Sequence, residues 1–436
     1  MSPVPLRRGL GALTALPVLL LMLQALSVSS VYGAPPTPLT LTQAVDIALR
    51  NSPQLAGYPL EFQAAEGRVQ QASLLPNPEF SVDVENVWGD LPGWSRAETT
   101  YSISQLLEVG KRSPRIRMAE SERGVLQHER DILRFNVVAD VKRGFINALS
   151  ARKKLELNRE GHRFAELLAS GVTGRVSAGA VSPIEETRAR VVLAVSSANV
   201  ERSALEFEAA RRELAAAMGE STPSFESLAG DLDEDFSVPP ADNVAERIQA
   251  NPDVTRWIAE RDRRNAVLEA ERSMAIPNVT LTGGIRHFRE NSDTTFVLGF
   301  SVPLPLFNRN QGAIREAEAL RSKADTERKA TELLLQSQVG QRQGALMAAR
   351  REATLLREEA LLGAQSAYDA VSEGYRLGKF RYLDVLDAGK TLVETRLRYL
   401  EAVTAFHLAK VDLERLLATR EKPYRNDQET RQGAAR

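Results

Sequence analysis

The chain carries two long copies of one unit. The glycine-centred segment Arg175 to Val181 returns as Tyr375 to Phe380, which sets Gly179 and Gly378 199 residues apart. Asn51-Ser52-Pro53 returns as Asn251-Pro252 at the same spacing, and Leu75-Pro76-Asn77 as Ile276-Pro277-Asn278 at a spacing of 201. Solenoid repeats run to roughly 20 to 50 residues, so this period marks duplication of a whole structural half.

Within each half, long helical patterns flank a pair of short strand patterns. In Glu79 to Glu85 and Thr99 to Ser104 every second residue is apolar, and the same alternation returns at Val279 to Arg286 and Phe296 to Val302. Such segments have one apolar and one polar face, the signature of a membrane barrel strand or of a half-solvated sheet. Trp88 and Trp94 fall between the first two strands, as interfacial anchors or as loop-packing aromatics. From Arg115 to Arg175 only glycines interrupt the helical pattern, and Gly312 to Leu377 contains no proline. At ~1.5 Å per residue each span is on the order of 90 Å, too long for a compact soluble domain. On the last helix Val393, Leu397, Leu400, Leu408 and Val411, with alanines among them, predict a narrow packing seam.

Both long helices reverse at the repeated glycine. Gly179 supplies a left-handed stop, and Ser182-Pro183-Ile184-Glu185 reads as a capping box that starts the return helix. Copy two keeps Gly378, but Arg381-Tyr382-Leu383-Asp384 offers no comparable cap, so its turn is expected to rest on other contacts.

The 56 basic and 57 acidic residues nearly cancel, which argues against nucleic-acid binding by bulk charge. Cysteine is absent, which excludes disulfides, thiolate metal sites and an acylated cysteine as a lipid anchor. Arg7 and Arg8, the apolar run Leu10 to Val28 and Val31-Tyr32-Gly33 read as a secretory signal over residues 1–33. Beyond it no stretch approaches the ~18 to 20 apolar residues of a membrane helix, so any membrane crossing must use strands. The four histidines, His128, His162, His287 and His407, and the methionines are scattered, so no metal or cofactor site is expected. Gly389-Lys390-Thr391 lacks the first glycine of a phosphate loop and sits in a helical pattern.

Several motifs in order carry a family resemblance: Leu39-Thr40-Leu41-Thr42-Gln43-Ala44, Ala48 to Pro53, Leu75-Pro76-Asn77-Pro78, and the Tyr-Arg-x-Gly turn leading into Leu383-Asp384-Val385-Leu386-Asp387-Ala388. Together they resemble the TolC-type outer-membrane efflux proteins. Gln105 to Arg112 and Pro303 to Gly312 are similar to the CzcC-like branch, which serves heavy-metal cation efflux. The resemblance spans residues 38–418.

It implies a mainly α fold with a small β part: two tandem repeats, each giving two barrel strands and long coiled-coil helices. Three chains would form a twelve-stranded β-barrel and a periplasmic helical barrel. The implied division is a signal peptide (1–33), a first repeat (38–219, strands near 79–87 and 98–107) and an equatorial linker (220–241). A second repeat (242–418, strands near 278–288 and 293–303) and a polar tail (419–436) follow. The implied role is non-enzymatic: a passive outer-membrane duct for divalent cations, without cofactor. It would dock a periplasmic membrane-fusion adaptor and an inner-membrane pump of the RND type, and sit in outer-membrane lipid.

The family's periplasmic constriction maps onto Asp384 and Asp387, with Glu185 as the copy-one counterpart, although acids in a first helical turn also simply complement the helix dipole. The tips map onto Arg175, Gly179, Ser182, Arg376, Gly378, Lys379 and Arg381, with Lys379 and Arg381 near enough to pair with the constriction acids or to meet the adaptor. A duct for drugs or for type I protein secretion stays open, as does a secreted coiled-coil scaffold without a pore.

Overall fold

The computed structural model describes residues 38–88, 93–233, 236–238 and 242–417. The signal-peptide reading over 1–33 and the polar tail over 419–436 lie outside the described residues. The first copy runs α1 (Leu41–Asn51), α2 (Pro53–Ser73), β1 (Glu79–Glu85), β2 (Glu98–Leu107), α3 (Arg112–Ser177) and α4 (Pro183–Ala217). The second runs α5 (Val244–Gln249), α6 (Pro252–Met274), β3 (Val279–Phe288), β4 (Thr294–Ser301), α7 (Gln311–Leu355), α8 (Leu361–Arg376) and α9 (Tyr382–Leu416). One π-helical turn, Leu356–Ala360, joins α7 to α8 where α3 runs uninterrupted.

The four strands form one antiparallel sheet in the order β1-β2-β3-β4. Directly opposed residues share a face, and the register sorts the side chains cleanly. Phe80 faces Ile103, Val82 faces Tyr101, Tyr101 faces Ile285, and Ile285 faces Phe296. Leu281, Leu298 and Phe300 complete this apolar face, which is open to the surroundings, with Leu298 89% exposed. The opposite face is polar. Ser81 and Ser102 share a hydrogen bond of 2.8 Å, and Arg286 pairs with Glu85 (3.1 Å) and Glu98 (3.2 Å) and donates to Thr100. A sheet with its greasy face outward inverts the arrangement of a soluble domain. β1 and β4 leave open edges among the described residues.

The strands β1, β3 and β4 are shorter than the alternation suggested. β1 stops at Glu85 because Asn86 takes a left-handed backbone (φ 60°), and β4 stops at Ser301, ahead of Pro303, which has no amide donor for the ladder. At Gly284 β2 and β3 approach closely: a Cβ there would overlap the Tyr101 carbonyl oxygen and come within 2.9 Å of Ser102 Cβ. Gly284→Ala is expected to cost about 1 to 3 kcal/mol through overpacking. The check is the midpoint of thermal unfolding followed by circular dichroism, which should fall.

Below the sheet, α2, α3, α6 and α7 pack side by side as a single layer. A layer with solvent on both faces buries only its seams. Those seams are rich in small residues: Ala65, Ala72, Ala119, Ala266, Ala317 and Ala324 are buried, along with Leu268. Ion pairs stitch neighbouring helices, among them Arg68 to Glu122 (2.8 Å), Arg117 to Glu269 (2.7 Å) and Arg272 to Glu318 (2.8 Å), each exposed and of modest worth.

The main core lies at mid-height, where α1, α3, α4, α9 and the linker meet around Phe145, Leu149, Leu214, Met218, Leu228 and Val403. Leu39 pairs with Leu228 in a parallel bridge. The described linker residues lie across α9: Tyr399 donates to Asp233 (2.7 Å), His407 Nε2 meets the Leu232 carbonyl (2.7 Å), and Phe236 stacks on Phe406. Burial and the Asp233 carboxylate push the Tyr399 phenol far above its ordinary value. The buried surface of α9 is broader than the expected seam. It takes in Leu392, Val403, Phe406 and Leu413 as well as Leu400 and Val411, because α9 is gripped by α3 on one side and α7 on the other.

Candidate functional site

At the far end from the sheet, α3 turns into α4 and α8 into α9 by the same hydrogen bonds. In copy one the amides of Ala178, Gly179 and Ala180 donate to the carbonyls of Gly174, Val176 and Arg175; in copy two Leu377, Gly378 and Lys379 donate to Glu373, Tyr375 and Gly374. Gly179 (φ 70°) and Gly378 (φ 75°) supply the left-handed residue that closes each turn.

The return helices start differently. Ser182 Oγ accepts from the Ile184 amide at 3.4 Å, but Glu185 does not complete the expected capping box. In copy two the cap that seemed missing comes from three residues downstream: the Arg381 amide donates to Asp384 Oδ2 at 2.8 Å. The Arg381 guanidinium stands 3.6 Å from the other Asp384 oxygen. Asp384 therefore combines a capping role with a partly exposed carboxylate. Asp387, one turn on, is exposed and makes no ion pair among the described residues, and neither does Lys379. Arg376 pairs with Glu373 at 3.0 Å.

The two hairpins are clasped together. Tyr382 of α9 is buried with Ala169, Val172 and Ala189, flanked by Val176, Val181, Tyr375 and Leu386. The Arg175 guanidinium lies 4.2 Å from the centre of the Tyr375 ring, a cation–π contact between the copies. Burial raises the Tyr382 phenol above its ordinary range, with smaller contributions from Tyr375 and Glu185. The structure brings Arg175, Glu185 and Asp384 to one tip, where Asp387, Lys379 and Arg376 are exposed.

The aromatic residues of this clasp are absent from the sequence-level candidates. Tyr375 and Tyr382 flank Gly378, a usable signal, but their burial depends on the other copy. The Phe380 ring covers Gly374, and the Phe164 ring covers Gly389, where a Cβ would overlap it. Gly389-Lys390-Thr391 lies inside α9, so its glycine serves helix approach.

At the other end of the molecule Trp88 and Trp94 are both exposed beside the β1–β2 connection, and Arg289 lies over the Trp94 ring at 5.3 Å. The histidines have ordinary partners: Thr255 for His128, Ser196 for His162, Thr294 for His287 and the Leu232 carbonyl for His407.

The family model described as "Outer membrane efflux protein" matches residues 44–220 and 244–419, one match per copy. The chain is 33% identical over 384 residues to the cobalt-zinc-cadmium resistance protein CzcC of Cupriavidus metallidurans, covering 87% of this chain and 90% of that one. It is 25% identical to the nickel-cobalt-cadmium resistance protein NccC of Alcaligenes xylosoxydans xylosoxydans, covering 71% of this chain and 70% of that one. The crystal structure of CusC superposes with a TM-score of 0.73 at 18% identity, covering 89% of this chain and 95% of that one, a likeness of fold. The outward apolar sheet, the paired hairpins and these matches over nearly all the described chain agree: the protein belongs to the outer membrane efflux protein family.

Proposed function

We propose that three copies of the chain form one outer-membrane duct that passes divalent heavy-metal cations outward without doing chemistry on them. The observation that carries this reading is the four-stranded sheet with its apolar face outward and both edges unpaired among the described residues. Bacterial single-chain barrels begin at about eight strands, and an open edge in lipid leaves backbone groups without partners at several kcal/mol each. Three copies give twelve strands and close the edges.

The helices support the same assembly. α4 packs on α3, and its free flank presents Ile184, Val191, Val195 and Leu205; α7 and α8 present Leu333, Met347, Leu355 and Leu362 on the opposite side. These two apolar rows, at spacings of a helical seam, would meet between neighbouring copies. Trp88 and Trp94 would sit at the outer lipid interface. The tips, with basic Arg175, Arg376, Lys379 and Arg381 and exposed Leu377 and Phe380, would receive a periplasmic adaptor bound to an energy-supplying RND pump. Asp384, Asp387 and Glu185 of three copies would form carboxylate rings at the constriction, favouring cations.

The choice of cargo rests on the relatives, which are cobalt, zinc, cadmium and nickel resistance proteins. The test is growth of a deletion strain across zinc, cobalt, cadmium, nickel, copper and a panel of drugs, with the intact gene restored. Sensitivity confined to divalent metals and reversed by the gene is expected. Sensitivity to drugs alone would contradict the cargo reading.

A further inference from the structure

The apolar face of β4 does not end with the strand. Phe296, Leu298 and Phe300 are followed by Val302, Leu304 and Leu306 at the same two-residue spacing, and then by Phe307. All of these side chains are exposed, Phe307 by 90%. The segment is held in shape rather than left loose. The Leu306 amide donates to the Leu304 carbonyl at 2.8 Å, a tight turn about Pro305, and Arg309 Nε donates to the Pro305 carbonyl at 3.1 Å. Asn310, left-handed at φ 59°, donates to the Glu271 carbonyl at 2.8 Å and so ties the base of the segment to α6. Pro303 and Pro305 carry no N–H, and the Leu306 N–H is satisfied, so the backbone offers few donors that would object to an apolar medium.

Copy one leaves its sheet in the same way. Leu107, the last residue of β2, and Val109, two residues past it, are exposed, and the exposed Arg112 follows them, as Arg309 follows Phe307. Apolar side chains succeeded by a basic residue form the pattern of segments that lie at a lipid surface, with the charge reaching headgroup phosphates.

We propose that Val302–Phe307, together with Leu107 and Val109, forms an apolar collar seated in the periplasm-facing leaflet of the outer membrane, with Arg112 and Arg309 at its phosphates. The collar extends the lipid contact past the strand ends and fixes the height at which barrel gives way to helices. This rests on the trimeric barrel described above. The occupant is lipid because Val302 and Leu304 carry the exposed apolar spacing of β4 up to the turn at Pro305, and Leu306 and Phe307 beyond the turn are again apolar and exposed.

The chain has no cysteine, so a single introduced one can be labelled uniquely. Phe307→Cys and, separately, Leu306→Cys are labelled with an environment-sensitive fluorophore and the full chain is reconstituted in phosphatidylethanolamine–phosphatidylglycerol vesicles. Quenching is then read from lipids bearing a nitroxide near the top of the acyl chain and from aqueous iodide. Both labels are expected to lose most of their emission to the nitroxide lipid and little to iodide. Quenching by iodide alone would overturn the proposal by placing the segment in water, and protection from both would overturn it by placing a neighbouring copy over the segment. Phe296→Cys serves as the reference: if that label escapes the nitroxide lipid, the barrel reading fails rather than the collar.

Discussion

Leu298→Arg is expected to remove the protein from the outer membrane, while Val297→Arg, its neighbour in the chain, leaves it there. Leu298 lies mid-strand on the outward face and is 89% exposed; Val297 pairs with Gly284 on the polar face. An arginine on the lipid face near the bilayer midplane costs roughly 2 to 4 kcal/mol, and a trimer would carry it three times. That total is comparable to the whole stability of an ordinary domain, about 5 to 15 kcal/mol. An arginine at 297 would project into the water-filled interior beside Gly284, where it changes the field felt by passing ions rather than the cost of insertion. The heat-sensitive band of an outer-membrane fraction on a semi-native gel reads both. Equal tolerance of the two variants would show that the apolar face does not meet lipid.

The second large effect belongs to the tip. Neutralising Asp384 and Asp387 together should change single-channel conductance in planar bilayers and weaken selectivity for cations over anions severalfold. The physical reason is that rings of like charge at a narrow point set which ions enter. Asp384 also accepts the Arg381 amide at 2.8 Å, and losing such a cap costs about 0.5 to 2 kcal/mol. Asp384→Asn with Asp387→Asn keeps an acceptor for that amide and removes only charge, so it separates the electrostatic role from the structural one. Unaltered current and selectivity in this double variant would assign the carboxylates to helix capping alone.

Much of the architecture was legible because a barrel strand in lipid must alternate and a duplicated chain must repeat its turns. Phe80, Val82 and Val84 mark an apolar face by spacing alone, and Gly179 and Gly378 mark both reversals. The details that escaped depend on partners remote in sequence or on choices the residues do not force. Asp384 acts as a cap from the third helical position, so inspection of Arg381 finds nothing. Tyr382 is buried only because Ala169, Val172 and Ala189 of the other copy lie against it. The π turn at Leu356–Ala360 is built from good helix formers and leaves no mark in the sequence. The double grip on α9 by α3 and α7 widens its buried surface beyond any single heptad seam.

With four strands, one chain is unable to close its own barrel. The number of chains in the particle extracted from the outer membrane, measured by light scattering with correction for bound detergent, tests that directly. A particle of three chains that falls to one only on denaturation is expected; a stable particle of one or two chains would show that the barrel closes some other way.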